Sequence, residues 1–252
     1  MDAENRKQII LDLIKADGSV KVTELSKMFA ISEVSVRNDL ADMESKGLLS
    51  RVHGGAISSY KPYYSMNMAQ RLETNQSEKV DIADKVAKLI EPNDTIMLNS
   101  GTTTLLSFRK FPTDYNLNIV TNSIAIALEA SSNPNYNVVL VGGSLNTKYQ
   151  FSFGPDAISQ LKNYHADKFI LSVDGIDETH GFTTYYEKEA EVDRTMIHQS
   201  DKCIVVADHT KFNRSAFVKI SDISIADSIV TNSSVDEDIV SRYAKSGIKI
   251  YK

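Results

Sequence analysis

The order of apolar and polar positions changes near residue 58. Before that point apolar residues recur at helical spacing in short segments, and the last of these segments is followed by Gly-Gly. After it, apolar segments of strand length alternate with amphipathic helical segments. The pattern predicts helices over 77–90, 103–110, 123–131, 155–163, 187–199 and 235–245, and strands over 95–99, 117–121, 137–141, 168–173, 202–207, 228–231 and near 248–251.

Several of the predicted strands are apolar without alternation, for example 137–141 and 202–207. Such strands are expected where helices cover both faces of a mainly parallel sheet. The second part of the chain is therefore predicted to be an open α/β domain. The polar, Ser- and Tyr-containing stretch after residue 58 is typical of a linker. We expect a first domain over 1–58, a linker over 59–76 and a second domain over 77–252.

The first 58 residues predict three short helices. The first has an apolar stripe and ends at Asp17-Gly18, and Thr23 is a plausible N-cap for the second. The second helix is expected to direct Leu25, Met28 and Phe29 inward. Ser32 is placed to cap a third helix whose apolar positions Val36, Leu40 and Met43 have helical spacing. Two capped helices joined by so short a turn form a helix-turn-helix, which presents the start of its second helix to the DNA major groove.

The predicted recognition helix carries Ser35, Arg37 and Asn38 on its outer side. The following segment, 48–57, has the pattern of strand, glycine turn and strand, which predicts a wing. Arginine reads guanine or contacts phosphate, and asparagine suits an adenine edge. The candidate DNA-contacting residues are Thr23, Ser32, Ser35, Arg37, Asn38, Arg51, His53 and Gly54.

Composition narrows the class of protein. The chain has 252 residues, of which 42% are hydrophobic and 24% charged, which excludes a disordered or low-complexity protein. The net charge is −5, and residues 1–58 hold eight basic and nine acidic side chains. A domain so close to neutral does not bind DNA through bulk charge. Its affinity must come from the placement of individual side chains and from dimerisation.

Targeting and cofactor signals are not apparent in the sequence. One cysteine excludes an intrachain disulfide and a cysteine-based zinc site, and the five histidines show no metal-ligand spacing. The polar start does not resemble a signal peptide, and no apolar stretch approaches the roughly 18 residues of a spanning helix. We expect a cytoplasmic protein with no membrane contact, no metal and no cofactor.

The predicted strand ends of the second domain carry small polar residues. Strand 95–99 continues into Ser100, Gly101, Thr102, Thr103 and Thr104 at the start of a helix. Free N–H groups and hydroxyls at such a position suit a phosphate. Two further strand ends supply Asn122 with Ser123 and Gly142 with Gly143, where open α/β sheets bind ligands.

Acids and a lysine follow two later strands. Asp174 and Asp177 come after strand 168–173, and Asp208 and Lys211 come after strand 202–207. These groups are able to bond sugar hydroxyls and a phosphate. An ordinary turn with helix-capping acids is the alternative interpretation of Asp174 and Asp177.

The motifs resemble those of one family across nearly the whole chain. The segments 22–40 and 47–56, which include Ser35-Val36-Arg37-Asn38-Asp39-Leu40 and His53-Gly54-Gly55-Ala56, are similar to the DNA-binding signature of DeoR/GlpR-type bacterial transcription regulators. The order Ser-Gly-Thr-Thr-Thr, Thr-Asn-Ser, Gly-Gly, Asp-Gly-Ile-Asp and Asp-x-x-Lys-Phe resembles the sensor domain of that family. Segments 161–167 and 211–215 resemble its amino-sugar and galactitol branch.

The resemblance implies a function and a further site residue. Sensors of this family bind phosphorylated sugars or sugar alcohols, and Lys79, Asp208 and Lys211 match positions linked with the effector response. The sensor fold is related to ribose-5-phosphate isomerase A and the coenzyme A transferases. We therefore expect a repressor of a carbohydrate-utilisation operon that binds double-stranded operator DNA as a homodimer or homotetramer, with no catalytic residues.

Two alternatives remain at this point. The first is a sugar-phosphate isomerase-like enzyme with an accessory DNA-binding arm, in which Asp177, Glu178 or Glu187 would act as the base. The second is a sensor whose helix-turn-helix has lost DNA binding and only dimerises.

Overall fold

A computed structural model describes residues 2–17, 19–45, 48–52, 54–57 and 66–252. The chain divides into two compact units, Met1–Met66 and Asn67–Lys252. His53 and residues 58–65, on which part of the predicted wing and linker fall, lie outside the described residues. Among the helices described, none is long and apolar enough to cross a membrane.

The first unit is a three-helix domain with a small antiparallel sheet. Its elements are helices α1 (Ala3–Asp17), α2 (Val22–Phe29) and α3 (Glu33–Ser45) and strands β1 (Ser19–Lys21), β2 (Ser50–Val52) and β3 (Gly55–Ile57). The strands pair in the order β1-β3-β2. Ile10, Val36, Leu40 and Met43 are fully buried between the helices, as their helical spacing predicted. The predicted winged helix-turn-helix is confirmed.

Two details of the first unit differ from the prediction. Met28 was expected to point inward, but its side chain is 57% exposed. Helix α2 starts at Val22, two residues earlier than an N-cap at Thr23 implies, and Val22 is itself buried, so the inward stripe runs through Val22, Leu25 and Phe29. Thr23 is therefore inside the helix and exposed, and the N-cap position belongs to Lys21, which makes no side-chain capping bond.

The second unit is built around a parallel sheet of seven strands in the order β15-β14-β12-β9-β4-β5-β6. The sheet strands are β4 (Thr95–Leu98), β5 (Leu117–Thr121), β6 (Tyr136–Leu140), β9 (Ala166–Ser172), β12 (Ser200–Val206), β14 (Ser228–Val230) and β15 (Lys249–Tyr251). The helices are α4 (Met68–Glu73), α5 (Gln76–Ala87), α6 (Thr102–Phe108), α7 (Ile124–Ala130), α8 (Pro155–Leu161), α9 (Glu187–His198) and α10 (Glu237–Lys245). The open α/β architecture with a mainly parallel sheet is confirmed.

Two apolar cores lie on the two faces of this sheet. Phe169 and Leu171 point to one core, and Ile170 between them points to the other. Successive residues of a strand face opposite sides, so a strand covered on both faces must be apolar throughout. Cys203, the only cysteine of the chain, is buried in the first of these cores, and burial raises the pKa of its thiol.

The structure adds elements that the pattern did not predict. An antiparallel sheet pairs β10 (Gly175–Asp177), β11 (Gly181–Thr184) and β13 (Val218–Ser221). A hairpin pairs β7 (Ser144–Asn146) with β8 (Phe151–Phe153), and a single turn of 3₁₀ helix spans His209–Lys211. These elements are three or four residues long, and the sequence shows neither an extended apolar run nor a helical period at their positions.

The segment predicted as linker is partly folded. Its residues 68–73 form helix α4, which begins with a capping box. The Asn67 side chain accepts from the Gln70 backbone amide, and the Gln70 side chain accepts from the Asn67 backbone amide. Asn-x-x-Gln is a recognised start signal for a helix. The predicted boundaries 1–58, 59–76 and 77–252 otherwise remain predictions.

Candidate functional sites

The recognition helix presents its expected side chains on the surface. Ser32 Oγ accepts from the Ser35 amide at 3.1 Å, which caps the first turn of α3. Arg37 and Asn38 are both exposed, and Arg37 donates to Glu33 one turn earlier at 2.6 Å. This is an exposed ion pair worth little stability, so the guanidinium is able to exchange Glu33 for a phosphate or a base at small cost.

Two acids of the same helix are paired with α1. Asp39 is buried and accepts from Arg6 of α1 at 2.9 Å, and Asp42 accepts from Lys7 at 2.6 Å. Both carboxylates are therefore neutralised within the unit. Neither carboxylate therefore adds negative charge to the surface that carries Arg37 and Asn38.

The wing places a second arginine near the end of α3. Arg51 donates to Glu44 from its backbone amide at 2.8 Å and from its side chain at 2.7 Å. These bonds lower the pKa of Glu44. Gly54 turns the chain between β2 and β3 with φ of +80°, a backbone conformation that favours glycine.

In the second unit, strands β4 and β9 are neighbours at the point where the strand order reverses. Parallel sheets bind ligands at this switch point, outside the carboxyl ends of the strands. Asn99 joins the two ends: its Nδ2 donates to the Ser172 carbonyl at 3.0 Å, and its Oδ1 accepts from the Ser172 amide at 3.0 Å. Gly101 is required by close packing, since a Cβ there would lie 1.9 Å from Ser172 Oγ.

The hydroxyl segment after β4 is inside the protein. Thr102, Thr103 and Thr104 are all buried in the first turn of α6. Thr104 Oγ1 donates to Asn99 Oδ1 at 3.2 Å, and Ser100 Oγ donates to the Tyr149 carbonyl at 3.1 Å. The hydroxyls of Ser100 and Thr104 therefore already donate their hydrogens to groups within the protein.

A second group of charges lies where β12 ends. Lys79 is buried on α5, and its Nζ donates to the carbonyls of Arg71 and Thr74 at 2.5 Å each. Burial lowers the pKa of Lys79 to about 8, with Lys211 and Arg71 adding to the effect and Asp208 opposing it. Burial alone would raise the pKa of Asp208, but Lys211, the Thr210 bonds and Lys79 together hold it below its usual value.

The end of β9 supplies the third group. Asp174 is buried, accepts from the Tyr185 amide at 3.2 Å and lies 3.9 Å from Arg71. The Arg71 guanidinium also stacks on the Tyr149 ring, 4.3 Å from its centroid. Arg71 therefore links Asp174 to the segment held by Lys79. The structure brings together four predicted residues here, Lys79, Asp174, Asp208 and Lys211.

Other predicted residues have contacts elsewhere. Asp177 Oδ1 accepts from the amides of Thr179 and His180, which is the turn interpretation that the sequence allowed. Asn122 donates to the Ser152 carbonyl, and Ser123 caps α7. The Gly142 amide donates to Gln160, and Gly143 has φ of +134° and packs against the Phe153 carbonyl. None of these contacts, within the part of the chain described, is shared with Lys79, Asp174 or Asp208.

Sequence reasoning missed four residues of this cluster: Asn99, Arg71, Glu189 and Asp193. Arg71 fell in the predicted linker. Glu189 and Asp193 are one turn apart on α9, where Asp193 is fully buried. The signal that could have identified Asp193 was an acidic residue at a position where the helical period predicts a buried apolar side chain. No group of three or more metal-ligating side chains with suitable geometry occurs among the described residues.

Comparison with known proteins gives a consistent result. Residues 6–61 match the model of the DeoR-like helix-turn-helix domain, and residues 74–233 match the model of the DeoR C-terminal sensor domain. A protein of Escherichia coli O157:H7 named for repression of the aga operon is 33% identical over 98% of this chain and 93% of its own length. The transcriptional repressor CsqR of Escherichia coli is 31% identical over 97% and 94%, and the transcriptional repressor GlcR of Bacillus subtilis is 28% identical over 99% and 96%.

Among solved structures, ribose 5-phosphate isomerase A of Methanocaldococcus jannaschii is similar to 55% of this chain and 55% of its own, with 16% identity and a TM-score of 0.41. That likeness is too low to bear on activity. The relatives that match the whole chain are named as regulators and not as enzymes, which sets aside the isomerase alternative. The matched helix-turn-helix and sensor domains cover most of the sequence, and the chain belongs to the DeoR family of helix-turn-helix transcriptional regulators.

Proposed function

We propose that this regulator represses a carbohydrate-utilisation operon and that a phosphorylated sugar or sugar alcohol controls its affinity for operator DNA. Helix α3 and the wing contact the DNA through Arg37, Asn38 and Arg51. The effector binds the second unit at the carboxyl ends of β9 and β12. The protein acts in the cytoplasm as a homodimer or homotetramer. The names of the relatives, which refer to repression, support the direction of control.

One observation carries the effector proposal: three cations and two carboxylates converge at neighbouring strand ends. The charges of Arg71 and Lys211 both act on Lys79. Asp208 interacts with Lys79 and Lys211, and Asp174 lies 3.9 Å from Arg71. Cations bind phosphate through charge-assisted bonds, and carboxylates accept from hydroxyls. A ligand with a phosphate at one end and a polyol at the other satisfies both groups.

Thermal unfolding of the full chain tests the ligand class. We expect aldose, ketose or alditol phosphates to raise the melting temperature, and each unphosphorylated parent to raise it much less. A ligand at 100 times its dissociation constant adds about 2.7 kcal/mol to the stability of the native state. A chain that prefers the unphosphorylated sugar would contradict the proposal.

Operator binding tests the link between the two units. An operator is first selected from random duplexes, and its affinity is measured with and without the stabilising sugar phosphate. Lys211→Ala should keep operator binding and lose the response, because a ligand shifts an equilibrium only through differential affinity. Lys202→Ala is the matched control, since Lys202 is an exposed lysine near the start of β12, the strand that precedes Lys211. An unchanged response in Lys211→Ala would place the effector elsewhere.

A further inference from the structure

Three carboxyl groups meet behind the proposed effector site. Thr184 Oγ1 lies 2.6 Å from Glu189 Oε2 and 3.3 Å from Asp174 Oδ2. One turn along α9, Asp193 is fully buried, and its Oδ1 accepts from Asn99 at 3.2 Å. Asp193 Oδ2 is buried without a hydrogen-bond partner. The cluster therefore joins α9 to the ends of β4, β9 and β11.

Two arginines act on the buried acids of this cluster. Arg71 of α4 acts on both Asp174 and Glu189, and Arg194 acts on Asp193 from the same helix. The neighbouring aromatic groups are Tyr149 and Tyr186, whose hydroxyls lie 2.9 Å apart, with Lys148 beside them. If all three carboxyl groups were ionised, they would outnumber these two arginines and leave excess negative charge in a poorly solvated place, which is strongly unfavourable.

The hydroxyl of Thr184 indicates which acid can accept a proton. A threonine hydroxyl has one hydrogen, so it cannot donate to two carboxylates at once. If Glu189 is a neutral acid, it donates to Thr184 Oγ1, and Thr184 donates in turn to Asp174. This arrangement satisfies both contacts of Thr184 and leaves the negative charge on Asp174, the acid that faces Arg71.

We propose that Glu189 is a further residue of effector recognition, which takes up a proton from solution when an anionic effector binds beside Arg71. This inference rests on the proposed function and adds its regulation. A bound phosphate competes with the acids for the charge of Arg71. Glu189 and Asp174 then lose part of their counter-charge, and protonation of Glu189 restores the balance.

The electrostatics of the free protein agree with this geometry. Burial raises the pKa of Glu189 to about 7, with Asp174 adding to the shift, while the Thr184 bond and Arg71 oppose it. Near neutral pH the group is therefore divided between its two forms. A bound anion raises this pKa further, so effector affinity falls as pH rises above 7.

Titration calorimetry of the full chain tests the proposal. The probes are sulfate, which remains a dianion throughout, and the sugar phosphate that stabilises the chain most. Each is titrated between pH 7 and pH 8.5 in Hepes and in Tris, whose different ionisation enthalpies report proton uptake. We expect uptake by the parent, and a dissociation constant that rises several-fold and by no more than about tenfold per pH unit, the limit for one proton.

The variants separate Glu189 from other titrating groups. Lys79 also titrates in this range, and the raised pKa of Asp193 adds its own pH dependence, so the decisive quantity is the difference between the parent and Glu189→Gln. Glutamine keeps the shape and the bond to Thr184, and we expect it to remove the Glu189 share of the uptake. Glu187→Gln, on the exposed first turn of the same helix, should behave as the parent.

The outcomes are distinct. Binding with equal proton uptake in the parent and in Glu189→Gln would overturn this inference and leave the proposed function standing. No binding of any probe by the parent would overturn both. If Glu189→Gln fails to fold, Glu189→Met provides the same comparison without a titrating group.

Discussion

One polar side chain, that of Asn99, joins the ends of strands β4 and β9. Asn99 uses its side-chain amide for Ser172 and Asp193, and it accepts from Thr104 as well. An asparagine offers two donor hydrogens and an acceptor oxygen, so one side chain can join three segments. The Ser-Gly-Thr-Thr-Thr sequence is therefore only part of the frame, and the residue before it fixes its position.

At the same scale, Asp193 is predicted to reduce stability at neutral pH. Burial and the nearby Glu189 raise the pKa of Asp193 well above its ordinary value. Between the unfolded and folded pKa values the folded state binds more protons, so stability falls as pH rises through that range. We expect Asp193→Asn to be more stable than the parent by roughly 1–3 kcal/mol at pH 8, with a smaller gain near pH 4.

Urea unfolding at several pH values measures this difference, and Asp114→Asn, at an exposed position, is the control. A loss of stability in Asp193→Asn that grows as pH rises would mean that the carboxylate is ionised and paired, and would contradict this prediction.

Gly101 gives a second prediction for a single residue. Its φ of −163° is accessible to any residue, so only space limits substitution. A Cβ would lie 1.9 Å from Ser172 Oγ and 2.9 Å from its Cβ. Gly101→Ala should therefore destabilise the second unit by roughly 1–3 kcal/mol, and Ser172→Gly in the same chain should recover part of this loss. Additive effects in a double-mutant cycle would show that the two residues do not clash.

At the scale of elements, the recognition helix has two faces with different tasks. One face is held by Asp39 and Asp42 against α1, and the other exposes Arg37 and Asn38. We expect Arg37→Ala to lower affinity for a selected operator by about 1–3 kcal/mol and Asn38→Arg to change base preference at one position. Gel shifts and a repeated selection measure these effects, with Lys110→Ala of the second unit as control. Unchanged affinity and unchanged base preference in both variants would show that α3 does not contact the DNA major groove.

The elements that the sequence predicted were those with a clear period. The seven sheet strands and the helices between them were predicted because apolar segments alternate there with amphipathic helical segments. The hairpin β7–β8 was not, because its strands have only three residues each, and the sheet β10–β11–β13 was not, because β11 pairs with β13 far along the chain. The candidate site was predicted in part for the same reason. Asp174 and Asp208 follow clear strands, whereas Arg71 and Glu189 are placed by tertiary packing.

At the scale of the whole molecule, a nearly neutral DNA-binding unit requires more than one copy for tight binding. Symmetric dimers double the contact with DNA through two half-sites, and the second unit has the larger core. It also exposes apolar side chains, among them Leu128 and Phe217. We expect the full chain and residues 67–252 alone to sediment as dimers or tetramers at micromolar concentration. A full chain that sediments as a monomer would contradict this.

The buried position of Cys203 makes the protein convenient to label. A thiol with a raised pKa inside an apolar core forms little thiolate and reacts slowly with maleimides and iodoacetamides. A cysteine introduced at an exposed position would thus be the main reactive thiol, without removal of the native one. A fluorophore attached to a cysteine at position 34 on the recognition helix, where Val34 is 63% exposed, would then report on operator binding directly. In living cells the burial of Cys203 would likewise keep oxidants from acting on the sensor through its thiol.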